Sequence, residues 1–252
     1  MSHDPVEDAG ATVRDAAHVV FFTGAGVSAE SGVPTFRGAG GLWRSFRAEE
    51  LATPAAFARD PRLVWEWYAW RREVVAACRP NAAHHAIAHF VASHPDAIVV
   101  TQNVDGLHQR AAREAGTDPD AIVALHGHLF GTRCSRCGTR AADDVGIDTG
   151  SVESLPRCDR CSAVLRPDVV WFGEGLDPTV LERAFAAAQS ADACVVIGTS
   201  GVVQPAASIV TVAARAGATI VEINPDATPL SSIATFALRG AAADVVPRLL
   251  GG

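Results

Sequence analysis

Short apolar runs recur along the chain at long intervals: "HVVFFTG" (18–24), "AIVVTQN" (97–103), "AIVALHG" (121–127), "DVVWFGE" (168–174), "ACVVIGTS" (193–200) and "TIVEINP" (219–225). They are near-continuous and rich in Val and Ile, without polar–apolar alternation. Strands buried on both faces of a parallel sheet read this way. Between them lie stretches with helical patterning: "AAHHAIAHFVASH" (82–94), "PTVLERAFAAAQS" (178–190) and "PAASIVTVAARAG" (205–217). Gly217 stands where a helix C-terminus needs a left-handed residue. The alternation predicts an α/β fold, a doubly wound, Rossmann-like parallel sheet. Two segments break it. Residues 41–81 are helix-prone and hold four of the five tryptophans, and residues 128–167 carry two cysteine pairs with little apolar periodicity. They predict a smaller inserted module, helical and zinc-binding, beside a large subdomain of residues 1–40, 82–127 and 168–252. Residues 1–252 are read together as a single domain.

Composition narrows the chemistry. With 252 residues, 48% apolar and 19% charged, the chain can bury a substantial core. A net charge of −7 argues against a nucleic-acid binder and leaves room for basic peptide partners. All 21 basic residues are arginine. Without lysine, neither Schiff-base catalysis nor a P-loop lysine is available. No apolar run reaches the roughly 18 residues of a membrane helix, and the acidic N-terminus "MSHDPVEDAG" is unlike a signal peptide. A cytoplasmic monomer without membrane partners is expected.

The cysteines carry the first specific signal. Cys134-x-x-Cys137 is followed, after 20 intervening residues, by Cys158-x-x-Cys161. Two such pairs offer four soft thiolates for a closed tetrahedral site, which predicts one structural Zn2+. Cys78 and Cys194 read as ordinary buried cysteines. The loop after the first strand is the second signal. Gly24, Gly26 and Ala29 fit G-x-G-x-x-G/A, where glycines allow a tight turn and close approach of backbone to a pyrophosphate. Alone, this pattern fits plain turn-making equally well.

The longer string "GAGVSAESGVPTFRG", continuing to "GLW", with "TQNVDGLH" and "LHGHLF" downstream, resembles the sirtuins, the NAD-dependent protein deacylases. The resemblance runs from about Val19 to Pro247. It implies that Gly24, Ala25, Gly26 and Ser28 hold the pyrophosphate of NAD. It implies that Thr35, Phe36 and Arg37 belong to a loop closing over the nicotinamide ribose, and that Gln102, Asn103 and Asp105 line the ribose and nicotinamide pocket, Asn103 with a catalytic part. Gly198, Thr199, Ser200, Asn224, Pro225 and Ala242 resemble adenosine-side contacts. His126, in "ALHGHL", matches the catalytic base; from the residue type alone a histidine at a sheet edge is the competing reading. NAD would be consumed: the acyl oxygen of a modified lysine attacks the ribose carbon and expels nicotinamide, and His126 helps deprotonate a ribose hydroxyl. That hydroxyl attacks the resulting imidate, and water completes the reaction, giving free lysine and O-acyl-ADP-ribose. Val170, Trp171 and Phe172 resemble the segment that pairs with an acylated-lysine protein or peptide.

The acyl group is addressed by residues 51–75. Tyr68 and Arg71, spaced i, i+3, share one helix face. The plainer reading packs Tyr68 among Trp65, Trp67 and Trp70 and leaves Arg71 and Arg72 in solvent. "Tyr-x-x-Arg" resembles the class III sirtuins, in which this pair recognises acidic acyl chains, and Ala52 matches their small pocket residue. The resemblance implies a preference for succinyl- and malonyl-lysine over acetyl-lysine. An NAD-dependent oxidoreductase, a mono-ADP-ribosyltransferase and a zinc-ribbon scaffold are the competing functions.

Overall fold

Val19–Thr23 is five residues of Val, Phe and Thr, all buried, and forms the strand around which a six-stranded parallel sheet is laid. The computed structural model describes residues 4–34, 42–43, 46–141 and 147–251, with residues 42, 43 and 119 described by backbone alone. The sheet order is Phe236–Leu238, Thr219–Ile223, Ala193–Ile197, Val19–Thr23, Ile98–Thr101, Ile122–Ala124. From Val19–Thr23 the chain builds outward to Ile98–Thr101 on one side and later restarts with Ala193–Ile197 on the other. That reversal is a topological switch point, where open α/β sheets bind ligands beyond their strand carboxyl ends.

Two compact units divide the chain. The first comprises Met1–Val33, Arg79–Leu125 and Asp177–Gly252 and contains this sheet; the second comprises Pro34–Cys78 and His126–Leu176. In the first unit, helices Ala82–Ser93, Pro178–Ser190 and Ala206–Ala216 stand where the periodicity predicts them, and Gly217 closes the last with φ +99°. Helices Pro5–Asp15, Leu107–Ala115 and Ala242–Leu250, and the edge strand Phe236–Leu238, escape the sequence reading. The helices at the two chain ends pack on Val19, Phe21, Val195 and Val221 in one apolar core.

The second unit corrects one expectation. "DVVWFGE" supplies no strand to the parallel sheet. Leu165–Val169 pairs antiparallel with Gly127–Cys134 in a separate two-stranded ribbon. "AIVALHG" is correspondingly split, into Ile122–Ala124 of the sheet and a ribbon strand that starts at Gly127. Gly127 has φ +81°, and a Cβ there would lie 2.1 Å from the Asp168 carbonyl oxygen, so only glycine lets the ribbon close. Pro167 has no N–H for a central sheet position and is accommodated in this isolated pair. Pro34, His126, Gly127 and residues 168–176 thus fall in the second unit, and 79–81 in the first. Helices Ala48–Leu51, Pro54–Arg59 and Pro61–Ala77 fill the tryptophan-rich segment.

Candidate active site

In the first unit, the expected cofactor residues collect at the carboxyl ends of four neighbouring strands. The Gly24 loop follows Val19–Thr23, Gln102–Asp105 follows Ile98–Thr101, Gly198–Ser200 follows Ala193–Ile197, and Asn224–Pro225 follows Thr219–Ile223. Ala242 is buried at the start of Ala242–Leu250. Thr35, Phe36 and Arg37 lie outside the described residues.

The glycines bring two backbones together. The Gly24 and Gly26 N–H groups donate to the Ile197 and Gly198 carbonyls at 3.0 and 2.8 Å. A Cβ on Gly26 would sit 2.7 Å from the Gly198 Cα, and one on Gly24 2.8 Å from the Thr199 Cβ. Their amides are engaged within the protein, so their first task is loop-on-loop packing across the switch point. Thr199 then joins three segments. Its hydroxyl receives the Gln102 side-chain N–H at 3.0 Å, and its carbonyl receives the Asn224 side-chain N–H at 2.7 Å.

Beneath the loop lies a buried polar network. The Ser28 hydroxyl donates to Asp105 Oδ2 at 2.8 Å and accepts from Asn103 Nδ2 at 3.1 Å. Its remaining lone pair meets His84 Nε2 at 3.3 Å. Asp105 Oδ1 accepts the Leu107 N–H at 2.9 Å. In a second branch Thr23 donates to Thr101 Oγ1 at 2.8 Å and meets His108 Nε2 at 3.0 Å, while Thr101 Oγ1 also accepts the Asn103 backbone N–H. Ser28 and Thr23 each accept from their histidine when that histidine is neutral and carries its proton on Nε2. Burial drives both that way. It lowers His84 to about 2, aided by the nearby His108 and His85, and His108 to about 4 against the opposing pull of Asp105. Asn103, held at its backbone and at its amide nitrogen, has its carboxamide oxygen to offer a ligand. His84 and His108 are absent from the sequence reading; the cue was His84 three residues after the helix N-cap Asn81 and His108 inside "VDGLH". Glu222 is also new: buried beside "INP", it accepts from Thr228, Ser231 and Arg239 and anchors the segment after Pro225.

In the second unit, His126 is half-buried and its carbonyl accepts the Val170 N–H at 2.9 Å. The amides of Trp171 and Phe172 are likewise engaged, with Glu174 Oε2 at 2.8 Å and the Ala52 carbonyl at 2.9 Å. Phe172 is half-exposed, whereas the Trp171 side chain is buried. Helix Pro61–Ala77 starts at Asp60, whose side chain caps the Leu63 N–H, and carries Tyr68 and Arg71. Tyr68 is fully buried, edge-on to Trp67, and its phenol oxygen accepts the Trp171 indole N–H at 2.9 Å. The Arg71 guanidinium lies 4.9 Å from the Trp67 ring centre and 5.5 Å from that of Tyr68. Burial pushes the Tyr68 phenol up, with Arg71 opposing, so it stays protonated at neutral pH. Arg72 is structural: it donates to the Leu129 and Gly131 carbonyls, and burial lowers it to about 10.

The four cysteines converge, with all sulfurs within 4.8 Å of one another. Separations are 3.4 Å for Cys134–Cys161 and 3.7 Å for Cys137–Cys158 and Cys137–Cys161. Tetrahedral zinc with bonds near 2.3 Å sets its sulfurs about 3.8 Å apart, so the cluster fits the ion. Two matching turns shape it. Cys134 and Cys158 each donate a backbone N–H five residues ahead, to Thr139 and Ala163, and each accepts the N–H of a left-handed residue, Gly138 or Ser162. Hydrogen bonds from Thr139 draw Cys137 down to about 6. A backbone bond to Ala163 lowers Cys161 too, yet Cys134, burial and the other sulfurs push it up to about 11. Four sulfurs this close ionise together only around a cation.

Comparison with known proteins agrees with this arrangement. The sequence model of the Sir2 family matches residues 24–205. An NAD-dependent protein deacylase 1 of Archaeoglobus fulgidus is 47% identical over 239 residues, covering 95% of this chain and 94% of that protein. An NAD-dependent protein deacylase 2 of Pyrobaculum aerophilum is 50% identical over 92% of this chain and 90% of its own length. Among solved structures, a Sir2 homologue in complex with NAD superimposes with a TM-score of 0.88 at 47% identity, covering 97% of this chain and 92% of that one. With a family match over most of its length and relatives this similar end to end, the chain belongs to the Sir2 family.

Proposed function

We propose that this chain removes succinyl and malonyl groups from protein lysine in preference to acetyl. At the coarser level it is an NAD-dependent protein deacylase of the Sir2 family. The observation that carries the finer reading is the pairing of Tyr68 and Arg71 on one helix face. The guanidinium rests over Trp67 and Tyr68, and the phenol stays neutral. Such a pair offers a charged two-donor fork and a hydroxyl to a carboxylate. Ala52, buried and small, leaves room for a longer acyl chain.

NAD supplies the electrophilic ribose carbon, whose bond to nicotinamide breaks when the acyl oxygen attacks. The chain's own residues do the rest. The strand-end residues Gly24, Ala25, Gly26, Ser28, Gln102, Asn103, Asp105, Gly198, Thr199, Ser200, Asn224, Pro225 and Ala242 bind and orient the cofactor, together with Thr35, Phe36 and Arg37. The Ser28–His84–Asp105 network fixes Asn103 so that its carboxamide oxygen has one direction. His126 takes the proton of a ribose hydroxyl, a task suited to an imidazole near neutral pH. Peptide pairing at Val170–Phe172 falls to carbonyls and side chains, because the three amides already have acceptors. One zinc held by four thiolates has no open position and serves structure. We place the enzyme in the cytoplasm as a monomer, in keeping with its thiolate cluster and net charge of −7. No helix among the described residues is long and apolar enough to cross a membrane.

The test is Arg71→Met with one peptide carrying either succinyl- or acetyl-lysine. A charged hydrogen bond of about 1.5–3 kcal/mol predicts a ten- to hundredfold loss of kcat/KM on succinyl-lysine, with acetyl-lysine little changed. Equal losses would make Arg71 structural.

A further inference from the structure

The selectivity pair has a buried support. Tyr68 has Trp171 as its one hydrogen-bond partner among the described residues, and Trp171 is itself held on several sides. Its backbone N–H donates to Glu174 Oε2 at 2.8 Å, Arg166 covers its ring face at 3.5 Å from the centroid, and Phe57 packs against it at 5.3 Å. Arg166 closes the frame with a two-pronged pair to Glu174, at 2.5 and 2.9 Å, and a bond to the Val169 carbonyl at 2.6 Å. Burial alone would raise Glu174, but the Arg166 hydrogen bonds and the Trp171 N–H hold it below the usual carboxylate range, so the frame is charged and locked.

An indole N–H is a donor only, whereas a phenol has one proton and two lone pairs. The phenol proton prefers the ring plane, pointing to one side or the other. An indole N–H on one lone pair excludes the proton from that side. We propose that Trp171 is a positioning residue for acyl selection: by donating to Tyr68 it turns the phenol O–H away from the indole, as a donor that a carboxylate accepts and an acetyl methyl cannot. The inference rests on the acyl preference proposed above. A phenylalanine at position 171 would keep the apolar packing but let the phenol proton turn either way.

The test is a double-mutant cycle of Trp171→Phe and Tyr68→Phe, read as the ratio of kcat/KM on succinyl-lysine to that on acetyl-lysine. The ratio cancels folding and NAD-binding losses. Trp171→Phe should lower it about three- to tenfold, the worth of one neutral hydrogen bond, and should lower it no further once Tyr68 is phenylalanine. A fall in the ratio that persists without the Tyr68 hydroxyl would overturn the proposal, since Trp171 would then act by another route. An unchanged ratio in Trp171→Phe, with a lowered ratio in Tyr68→Phe, would overturn it and leave the acyl preference standing. No change in either variant would overturn the proposal and remove Tyr68 from acyl recognition. If Trp171→Phe folds poorly, indole N–H resonances of the unmutated protein decide. The signal that moves in Tyr68→Phe should move downfield on binding a succinyl-lysine peptide and stay put with acetyl-lysine, and equal responses to both would overturn the proposal.

Discussion

Gly198→Ala, set beside Gly217→Ala, tests whether the glycine loops of the first unit exist to pack against each other. Both residues have positive φ, +58° and +99°, so alanine at either is strained by about 1–2 kcal/mol. Their surroundings differ. Nothing lies within 4 Å of a Cβ on Gly217. A Cβ on Gly198 would sit 2.4 Å from the Val27 nitrogen, 2.5 Å from the Gly26 carbonyl carbon and 2.7 Å from its Cα, all rigid backbone. Forcing the loops apart adds about 1–3 kcal/mol of overpacking. Gly198→Ala should therefore cost about 2–5 kcal/mol and Gly217→Ala about 1–2. All five tryptophans lie in the second unit, so their fluorescence gives no local signal from these loops. Urea unfolding followed by circular dichroism gives the size, and hydrogen exchange at Val19–Thr23 and Ala193–Ile197 gives the place. Added NAD should stabilise Gly217→Ala as it does the parent chain and stabilise Gly198→Ala less, because only Gly198 lies at the cofactor strand ends. Equal costs for the two variants would refute the packing argument.

Three further outcomes are expected. His126→Ala should lose about 10²–10⁴-fold in deacylation while keeping NAD-induced stabilisation, and near-parental turnover would remove His126 from the mechanism. Metal analysis should find about one zinc per chain, and Cys134→Ala should lose both the zinc and a large part of the thermal stability; a stable, active, metal-free protein would contradict the structural role. Stability should also fall in acid through His84 and His108. Both are depressed in the fold, so it keeps them neutral while the unfolded chain protonates them below about pH 6.5. The stabilisation is full above that pH. It is lost at about 1.4 kcal/mol per histidine per pH unit, down to about pH 4 for His108 and about 2 for His84. Urea midpoints between pH 6.5 and 4.5 should slope accordingly and flatten in the His84→Gln/His108→Gln double variant.

The parallel sheet was legible because burial on both faces leaves a near-continuous apolar run, as in Val19–Thr23 and Ala193–Ile197. The same signal misled at "DVVWFGE", where apolar density reflects a buried ribbon whose Arg166 and Asp168 find charged partners: Glu174 for the first, Arg133 and Arg140 for the second. Phe236–Leu238 was too short to register as a strand. The cysteine cluster could be read from spacing alone, since each C-x-x-C closes a local turn. The His84 and His108 network could not. Its members stand as far apart as Thr23 and His108 in sequence, and only the strand-end geometry joins them. Tyr68 was placed on the correct helix, but its bond to Trp171 spans 103 positions and left no periodic trace.

The central claim meets its most direct test in mass spectrometry of one lysine peptide prepared in acetyl, malonyl and succinyl forms, incubated with the enzyme with and without NAD. The account predicts no deacylation without NAD. With NAD it predicts free lysine, nicotinamide and O-acyl-ADP-ribose in equal amounts, no reduced nicotinamide, and faster turnover of the succinyl and malonyl peptides. Deacylation that proceeds without NAD, or acetyl turnover equal to succinyl turnover, would contradict it.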